Sequence, residues 1–334
     1  MKKLILILVL FLPLLHFLYD KREINYIENK KFSKITFNYN IKKYYDSFAK
    51  SYSERFILKD KIIPINFYIN YLLGHSKNKN IFIGKDGYLF LKNVNNITLK
   101  HRGILVENDE RLNEIYNSME NFIKYFKNQG TKVIFFPVPN QQSIYKNKMP
   151  FWYTYHSNIN LFNYFEEKFS YKYKENFLNL LKILSDEELT YHKFESHWNS
   201  YGMYLSYNEI LKKTLNRETN NIYKFENQIK NWHRLFLKEN FKGVSIFHNS
   251  KKYIKNKNII ILGDSFSIPF IKFFENDFKN ILRIDKDHEK LDFNKIKKFN
   301  PDYFIIMIVE RNFFDYDLQV SGIGKSLYEF KKNN

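Results

Sequence analysis

The 334-residue chain contains no cysteine. That absence excludes a disulfide framework, a thiolate nucleophile and a metal site built on cysteine, and it is compatible with export without requiring it. The nine histidines are scattered, and the closest pair, His192 and His197, is five residues apart. That spacing does not put two ligands on one face of a helix, so we expect neither a metal ion nor a cofactor.

Glycine and proline are scarce, with 10 and 7 residues, whereas Phe, Tyr, Ile, Lys and Asn are abundant, a bias typical of AT-rich codons. An apolar content of 44% with 19% aromatic residues excludes a disordered chain. The net charge of +19 allows three interpretations: a nucleic-acid partner, an anionic polymer or membrane surface, or composition alone. The lysines are spread along the chain and no nucleic-acid-binding motif is visible, which disfavours the first.

The N-terminus has the pattern of an export signal, because Lys2 and Lys3 precede an apolar run over residues 4–19. The run is short for a spanning helix, which needs about 17–25 residues. No small-x-small cleavage site follows before the charged residues 20–23. The pattern favours an uncleaved signal anchor over residues 1–22, with a cleaved signal peptide or a buried helix as alternatives. Either export interpretation places the remaining chain in the periplasm or at the cell exterior, at the cytoplasmic membrane if the anchor is kept.

Behind a lead-in over residues 23–45, the periodicity predicts one domain over residues 46–330. The predicted helices cover residues 46–73, 107–129, 158–174, 200–214, 268–278 and 291–299. The predicted strands are a hairpin over 81–91 and single strands at 133–136, 177–180, 259–262, 281–284 and 303–309. This alternation is typical of an α/β fold, a mostly parallel sheet with helices on both faces and a site at the carboxyl ends of its strands.

The tetrapeptide from Gly263 to Phe266 directly follows the predicted strand 259–262. A serine between a strand and a helix exposes its hydroxyl near the helix N-terminus, where backbone N–H groups stabilise an oxyanion. Ser265 is therefore a candidate nucleophile, and Gly263 lets the backbone turn closely. The alternative is that Asp264 or Ser265 only caps the helix.

A second polar cluster contains Glu195, His197 and Trp198. A serine nucleophile needs a base that works near neutral pH, usually histidine, and that base needs a partner to fix its tautomer. Glu195 lies two residues before His197, so both side chains project to the same side of an extended segment. The alternative is a surface histidine beside a core tryptophan.

A third cluster, Glu310, Arg311 and Asn312, ends the last predicted strand. Polar groups at the carboxyl end of a buried strand are placed to line a site. Arg311 either binds an anionic substrate or holds a loop through a bidentate pair with Glu310 or Asp302.

Five segments taken together resemble the SGNH-hydrolase-like alginate O-acetyltransferase family. In chain order they are Gly84-Lys85-Asp86-Gly87-Tyr88-Leu89-Phe90, Pro137-Val138-Pro139-Asn140, Glu195-Ser196-His197-Trp198-Asn199 with Gly202, Gly263-Asp264-Ser265-Phe266, and Pro301-Asp302 with Glu310-Arg311-Asn312. The likeness spans about residues 46–314. The family includes the two periplasmic alginate acetylation proteins, of the J and X type, and relatives that act on other bacterial polysaccharides.

The resemblance implies Ser265 as the acyl-accepting nucleophile, His197 as its base and Glu195 as the acid that orients the base. Glu195 is a departure, since the family favours aspartate there, and Gln141 is another, because relatives often carry lysine at that position. The residues implied as oxyanion or substrate contacts are Asn140, Arg311, Asp264 and Trp198. The C-terminal carbohydrate-binding domain of the larger members is not expected here.

Three functions follow from these residues. The first is transfer of acetyl groups through acetyl-serine to hydroxyls of a cell-surface or secreted polysaccharide. The second is hydrolysis of acetyl esters on a polysaccharide, with water as the acceptor, and the third is a non-catalytic glycan-binding scaffold. No acetyl-CoA motif is visible, so the first function implies a partner that supplies acetyl groups, an integral membrane acyltransferase of the MBOAT type.

Overall fold

The computed structural model describes residues 14–25, 30–56, 58–104, 109–156, 161–187, 189–215, 222–232, 237–248, 257–275, 277–286, 288–289 and 291–313. They form two compact units. The first combines the described residues up to Lys77 with Asn231–Lys238, and the second contains Asn78–Lys230 and the described residues from Glu239 onward.

The first unit is mainly helical. Its elements are helix α1 over residues 14–19, the antiparallel strands β1 (Ile24–Asn25) and β2 (Lys30–Lys31), and the helices α2 (Ile41–Glu54) and α3 (Lys59–Leu72). Helix α2 begins inside the predicted lead-in because Asn40 caps it, accepting a hydrogen bond from the Lys43 N–H at 3.2 Å. No helix in the described residues is long and apolar enough to cross a membrane. Residues 1–13, most of the predicted anchor, lie outside those residues.

The centre of the second unit is a four-stranded parallel sheet in the order β5-β10-β8-β9. Its strands are β5 (Lys132–Val138), β8 (Asn258–Gly263), β9 (Asn280–Asp285) and β10 (Tyr303–Val309). The predicted strand over residues 177–180 is reduced to one parallel bridge, between Phe177 and Phe135 at the free edge of β5. The predicted α/β architecture with a parallel sheet flanked by helices is confirmed.

Each face of the sheet packs against helices because both sets of alternating side chains are apolar. Ile134, Phe136 and Met307 join one core with side chains of the helices Ser200–Leu215 and Ser267–Glu275. Phe135 and Phe304 join the other with the helices Asp109–Lys127 and Leu161–Ser170. The helices of this unit are α4 (Ile97–His101), α5 (Asp109–Lys127), α6 (Gln141–Ile144), α7 (Leu161–Ser170), α8 (Leu181–Asp186), α9 (Ser200–Leu215), α10 (Ser267–Glu275), α11 (Phe293–Phe299) and α12 (Glu310–Phe313).

Two hairpins complete the described chain. The predicted one pairs β3 (Ile81–Ile83) with β4 (Leu89–Leu91). The other pairs β6 (Ile222–Trp232) with β7 (Leu237–His248), and we did not predict it. Its alternation of apolar and polar residues is broken by asparagines and lysines, which leaves little signal for a strand.

Candidate active site

The candidate nucleophile lies in the turn between β8 and α10. Ser265 is exposed, whereas Asp264 before it and Phe266 after it are buried. The Ser267 N–H donates to the Asp264 carbonyl at 3.0 Å, and the Ile268 N–H donates to the Ser265 carbonyl at 3.4 Å. The serine hydroxyl is therefore presented beside the N-terminal end of α10, where the helix dipole favours negative charge.

The carboxylate of Asp264 accepts hydrogen bonds from two backbone N–H groups of the protein. Its Oδ1 accepts a hydrogen bond from the Phe266 N–H at 3.0 Å, and its Oδ2 accepts one from the Val309 N–H at 2.9 Å. Burial raises the pKa of this carboxyl, and the two N–H donors oppose that rise. Asp264 is 2% exposed, and its bond to Val309 ties the nucleophile turn to the end of β10. The substrate contact expected for Asp264 from the sequence stays a prediction.

Two further residues shape the same turn. A Cβ at Gly263 would lie 2.6 Å from Ser267 Cβ and 2.9 Å from the Met307 carbonyl oxygen, so the turn packs this closely only with glycine. From β9, Arg283 Nε donates to Ser267 Oγ at 2.9 Å, and its Nη2 lies 3.4 Å from the Asp264 carbonyl oxygen. Arg283 was not predicted as a site residue, because a charged residue in a strand has no distinctive pattern.

The candidate base faces the serine. His197 Nε2 lies 3.3 Å from Ser265 Oγ, within the range of a base in a resting site. The imidazole packs on the Phe266 ring, with 4.5 Å between ring centroids and 34° between planes. The residue after the serine thus supports the histidine that faces it.

Burial lowers the pKa of His197, the Glu195 carboxylate acts to raise it, and Arg311 acts to lower it. The net direction is downward, which favours the neutral imidazole at neutral pH. A neutral imidazole is the form that accepts a proton.

The candidate orienting acid is not in hydrogen-bond contact with the base. Glu195 Oε1 lies 3.9 Å from His197 Nδ1 and 3.4 Å from Lys230 Nζ. A distance of 3.9 Å allows electrostatic attraction but exceeds hydrogen-bond range. Lys230 belongs to the unpredicted β6–β7 hairpin, so the glutamate is shared between the base and this hairpin.

Trp198 anchors the segment that carries the base, residues 191–198. An antiparallel bridge between Tyr191 and Trp198 closes the segment. The indole is 1% exposed and packs on Phe270 of α10, with 4.9 Å between ring centroids. Trp198 therefore packs in the core, and the substrate contact expected for it from the sequence stays a prediction.

Two buried side chains that we did not predict as site residues hold the same segment. Gln141 Nε2 donates to the His192 carbonyl at 2.7 Å. Glu239 Oε1 accepts a hydrogen bond from the Lys193 N–H at 2.8 Å and lies 3.3 Å from His192 Nδ1. Gln141 had been noted only as a departure from the family, and Glu239 lies in the unpredicted hairpin.

Asn140 and Arg311 contact each other at the carboxyl edge of the sheet. Arg311 Nη1 donates to Asn140 Oδ1 at 3.1 Å, which turns the amide NH₂ of Asn140 away from the guanidinium. Glu310 instead accepts hydrogen bonds from the Asn140 N–H at 2.8 Å and Ser143 Oγ at 2.6 Å. The bidentate pairs predicted for Arg311 are therefore not formed within the described residues. Asp302 precedes β10, at the opposite end of the strand.

The described site therefore combines an exposed serine, a facing histidine and an arginine–asparagine pair at one edge of a parallel sheet. Within the described part of the chain, no three histidine or acidic side chains are grouped closely enough to hold a metal ion. A serine at the end of one strand with a histidine facing it can act as a nucleophile with its base.

Known structures with a similar fold include three bacterial proteins. In fold, the chain is similar to a DHHW family protein from Eubacterium siraeum, with a TM-score of 0.50 and 14% identity, over 78% of this chain and 97% of that one. It is also similar to the O-acetyltransferase domain of Pseudomonas putida AlgJ, with a TM-score of 0.49 and 10% identity, over 76% and 99% of the two chains. Bacillus cereus PatB1 with a sulfonyl adduct gives a TM-score of 0.49 and 14% identity, over 70% and 96%. No family model matches the chain, and no curated protein matches it in sequence.

Proposed function

We propose that this protein is an extracytoplasmic O-acetyltransferase that moves acetyl groups onto polysaccharide hydroxyls through acetyl-Ser265. The observation that carries the proposal is the 3.3 Å approach of His197 Nε2 to Ser265 Oγ at the carboxyl edge of the sheet. The five sequence segments that resemble the alginate O-acetyltransferase family support the choice of acetyl transfer over other acyl chemistry.

In the first half-reaction, His197 Nε2 takes the proton of Ser265 Oγ as this oxygen attacks the carbonyl carbon of an acetyl donor. The tetrahedral oxyanion forms beside the N-terminus of α10, with the Ser265 N–H, the Asn140 amide and Arg311 as its donors. Collapse breaks the bond to the donor's leaving group, which receives the proton from His197. The product is acetyl-Ser265 with a neutral imidazole.

In the second half-reaction, a sugar hydroxyl takes the position of the leaving group. His197 accepts its proton, the oxygen attacks the acetyl carbon, and Ser265 leaves and is reprotonated. Water in place of the sugar would turn the same site into an esterase, so the acceptor decides the reaction.

The location and the donor follow from the N-terminal pattern. The proposal places the domain outside the cytoplasmic membrane, held by an anchor over residues 1–22. Acetyl-CoA is not expected there, so the proposed donor is an integral membrane acyltransferase of the MBOAT type that passes acetyl groups outward.

Mass spectrometry of the full chain after incubation with an activated acetyl ester tests the first half-reaction. An acetyl adduct on the peptide that contains Ser265 is expected, and it is expected to be lost in Ser265→Ala and His197→Ala. Ser118→Ala on α5 and His75→Ala in the first unit are matched controls, which should acetylate as the unchanged chain does. Absence of the adduct in a folded protein would contradict catalysis and favour a glycan-binding scaffold.

Addition of oligosaccharides to the acetylated protein tests the second half-reaction. Transfer predicts ester-linked acetyl on the sugar, whereas an esterase predicts free acetate at a rate that the sugar does not change.

A further inference from the structure

Three aromatic side chains of the segment over residues 150–156 face the solvent. Phe151 is 93% exposed, Trp152 is 42% exposed and Tyr155 is 43% exposed. We call these three side chains the aromatic patch. Exposed aromatic rings that are adjacent on a surface typically mark a contact site.

Two of the three rings, those of Trp152 and Tyr155, pack against neighbouring aromatic side chains. Trp152 makes an edge-on contact with Phe82 of β3, with 5.4 Å between ring centroids. Tyr155 makes a similar contact with the buried Tyr153 at 5.7 Å and with His101 at 5.5 Å. Because Trp152 and Tyr155 are already held, a ligand that packs on them loses little affinity to the ordering of side chains.

Polar groups border the rings. Arg102 Nε donates to the Thr154 carbonyl at 2.8 Å, and its Nη2 donates to Thr154 Oγ1 at 2.9 Å. The His156 Nε2 lies 3.3 Å from the same Nη2. The surface therefore alternates apolar ring faces with hydrogen-bonding side chains.

A chain of contacts connects the patch with the candidate active site. Asn312, the residue after Arg311, accepts a hydrogen bond from Asn95 Nδ2 at 2.5 Å. Asn95 lies in the turn that precedes α4, and α4 ends at His101, whose Nδ1 lies 2.9 Å from Tyr153 Oη. These contacts link the patch to Asn312, which follows β10 at the carboxyl edge of the sheet.

We propose that the aromatic patch is a binding subsite for pyranose rings of the polysaccharide acceptor. A pyranose ring has apolar C–H faces that pack on aromatic rings and a rim of hydroxyls that bond to groups such as Arg102 and Thr154. A protein partner would also use exposed aromatic residues, but the polar border and the connection to the acetyl-transfer site favour a sugar. This assignment rests on the proposed function, since it makes the patch part of the acceptor path.

Binding of two defined hexasaccharides to the full chain tests the subsite: β-1,4-linked mannuronate and β-1,4-linked N-acetylglucosamine. Isothermal titration would measure the Kd of each for the unchanged chain, for Trp152→Ala and for the double variant Phe151→Ala with Tyr155→Ala. Tyr171→Ala is the matched control, because Tyr171 is 85% exposed and lies just after α7, outside the patch. At least one hexasaccharide is expected to bind, with Kd raised about tenfold or more in the patch variants and unchanged in the control.

Acetyl-Ser265 formation from a small activated ester is measured on the same variants and is expected to stay unchanged. That readout separates the two proposals. Loss of sugar binding in the patch variants supports the subsite even in a protein that forms no acetyl-serine. Failure of both hexasaccharides to bind the unchanged chain, or an equal Kd in the patch variants and the control, overturns the subsite even if acetyl-serine forms.

Discussion

At the scale of single residues, two opposite charges act on the candidate base. Glu195 acts to raise the pKa of His197 and Arg311 acts to lower it, while burial gives the net decrease. A general base works in its neutral form, so activity is expected to rise as the pH increases through this pKa. The acid limb of the pH profile should therefore have its midpoint below the usual histidine value of about 6.5.

Replacing either charged residue with an uncharged one should shift this midpoint, and the two shifts should have opposite signs. Glu195→Gln removes the group that raises the His197 pKa, so the midpoint is expected to fall. Arg311→Met removes a group that lowers the pKa, so the midpoint is expected to rise. The measurement is the pH dependence of kcat/KM for acetyl-serine formation from a small ester.

Glu209→Gln on α9 is the control for a lost carboxylate, because Glu209 pairs with Lys212 on the helix surface. Shifts of the same sign in Glu195→Gln and Arg311→Met would show that His197 is not the group that titrates.

Glu195→Asp introduces the aspartate favoured by the family that the five segments resemble, and it tests the departure at position 195. Aspartate is one methylene shorter, and Glu195 Oε1 is already 3.9 Å from His197 Nδ1. Glu195→Asp in this backbone is therefore expected to lower the rate of acetyl-serine formation, because the shorter side chain cannot reach the imidazole without a backbone shift. The comparison is the single-turnover rate at a pH well above the midpoint, where a change in pKa has no effect. A higher rate in Glu195→Asp would show that the loop already holds position 195 close enough for an aspartate to reach the imidazole.

At the scale of elements, the turn between β8 and α10 depends on close packing. Gly263→Ala places a Cβ within 2.6 Å of Ser267 Cβ and 2.9 Å of the Met307 carbonyl oxygen, so the turn that presents Ser265 must shift. Acetyl-serine formation is expected to fall by about 100-fold, since a displacement of about 1 Å has effects of that size. Single-turnover mass spectrometry and urea unfolding would be measured together.

Gly130→Ala is the matched variant for this test. Gly130 has φ +81° with no atom within 4 Å of an added Cβ, so alanine there adds backbone strain but no clash. It is expected to lower the free energy of unfolding by about 1 kcal/mol without slowing acetyl-serine formation. Equal rate losses in the two variants would mean that stability, not the position of the serine, limits the reaction.

The sequence predicted best the elements whose burial is visible in a local pattern of apolar residues. Strands β8 and β10 read as short apolar runs because both their faces are covered, and α5 shows a clear apolar stripe. The sequence of the β6–β7 hairpin did not predict strands, because its exposed face is rich in asparagine and lysine. Lys230 and Glu239, which it brings to the base segment, therefore could not be found.

The site residues also differ in whether the sequence alone could predict them. Ser265 and His197 were predicted from motif and position, and the fold brings them together. The burial of Asp264 and Trp198 was not foreseen, because the sequence does not show which polar or aromatic side chain turns inward. Arg283 and Gln141 act only through contacts between segments that are distant in sequence, so their effect on the site is visible only in the folded chain.

At the scale of the whole molecule, the net charge of +19 predicts that salt weakens the binding of an anionic polysaccharide acceptor. Attraction between a basic protein and a uronate hexasaccharide is screened by salt, with a Debye length of about 8 Å at 0.15 M. Raising the salt concentration is expected to raise the Kd of the mannuronate hexamer and leave that of the N-acetylglucosamine hexamer nearly constant. Acetyl-serine formation from a neutral ester is the internal control. Equal salt responses of the two sugars would mean that the charge reflects composition alone.

The order of strands in the sheet also has a consequence for synthesis. β10 is the last of the four strands in the chain, yet it lies between β5 and β8 and pairs with both. Until it is made, β5 has no neighbour on that side and β8 pairs only with β9, so the edge that presents Ser265 cannot be completed. A chain still emerging from the ribosome therefore lacks the site, and a protein exported in the unfolded state would first become active on the far side of the membrane.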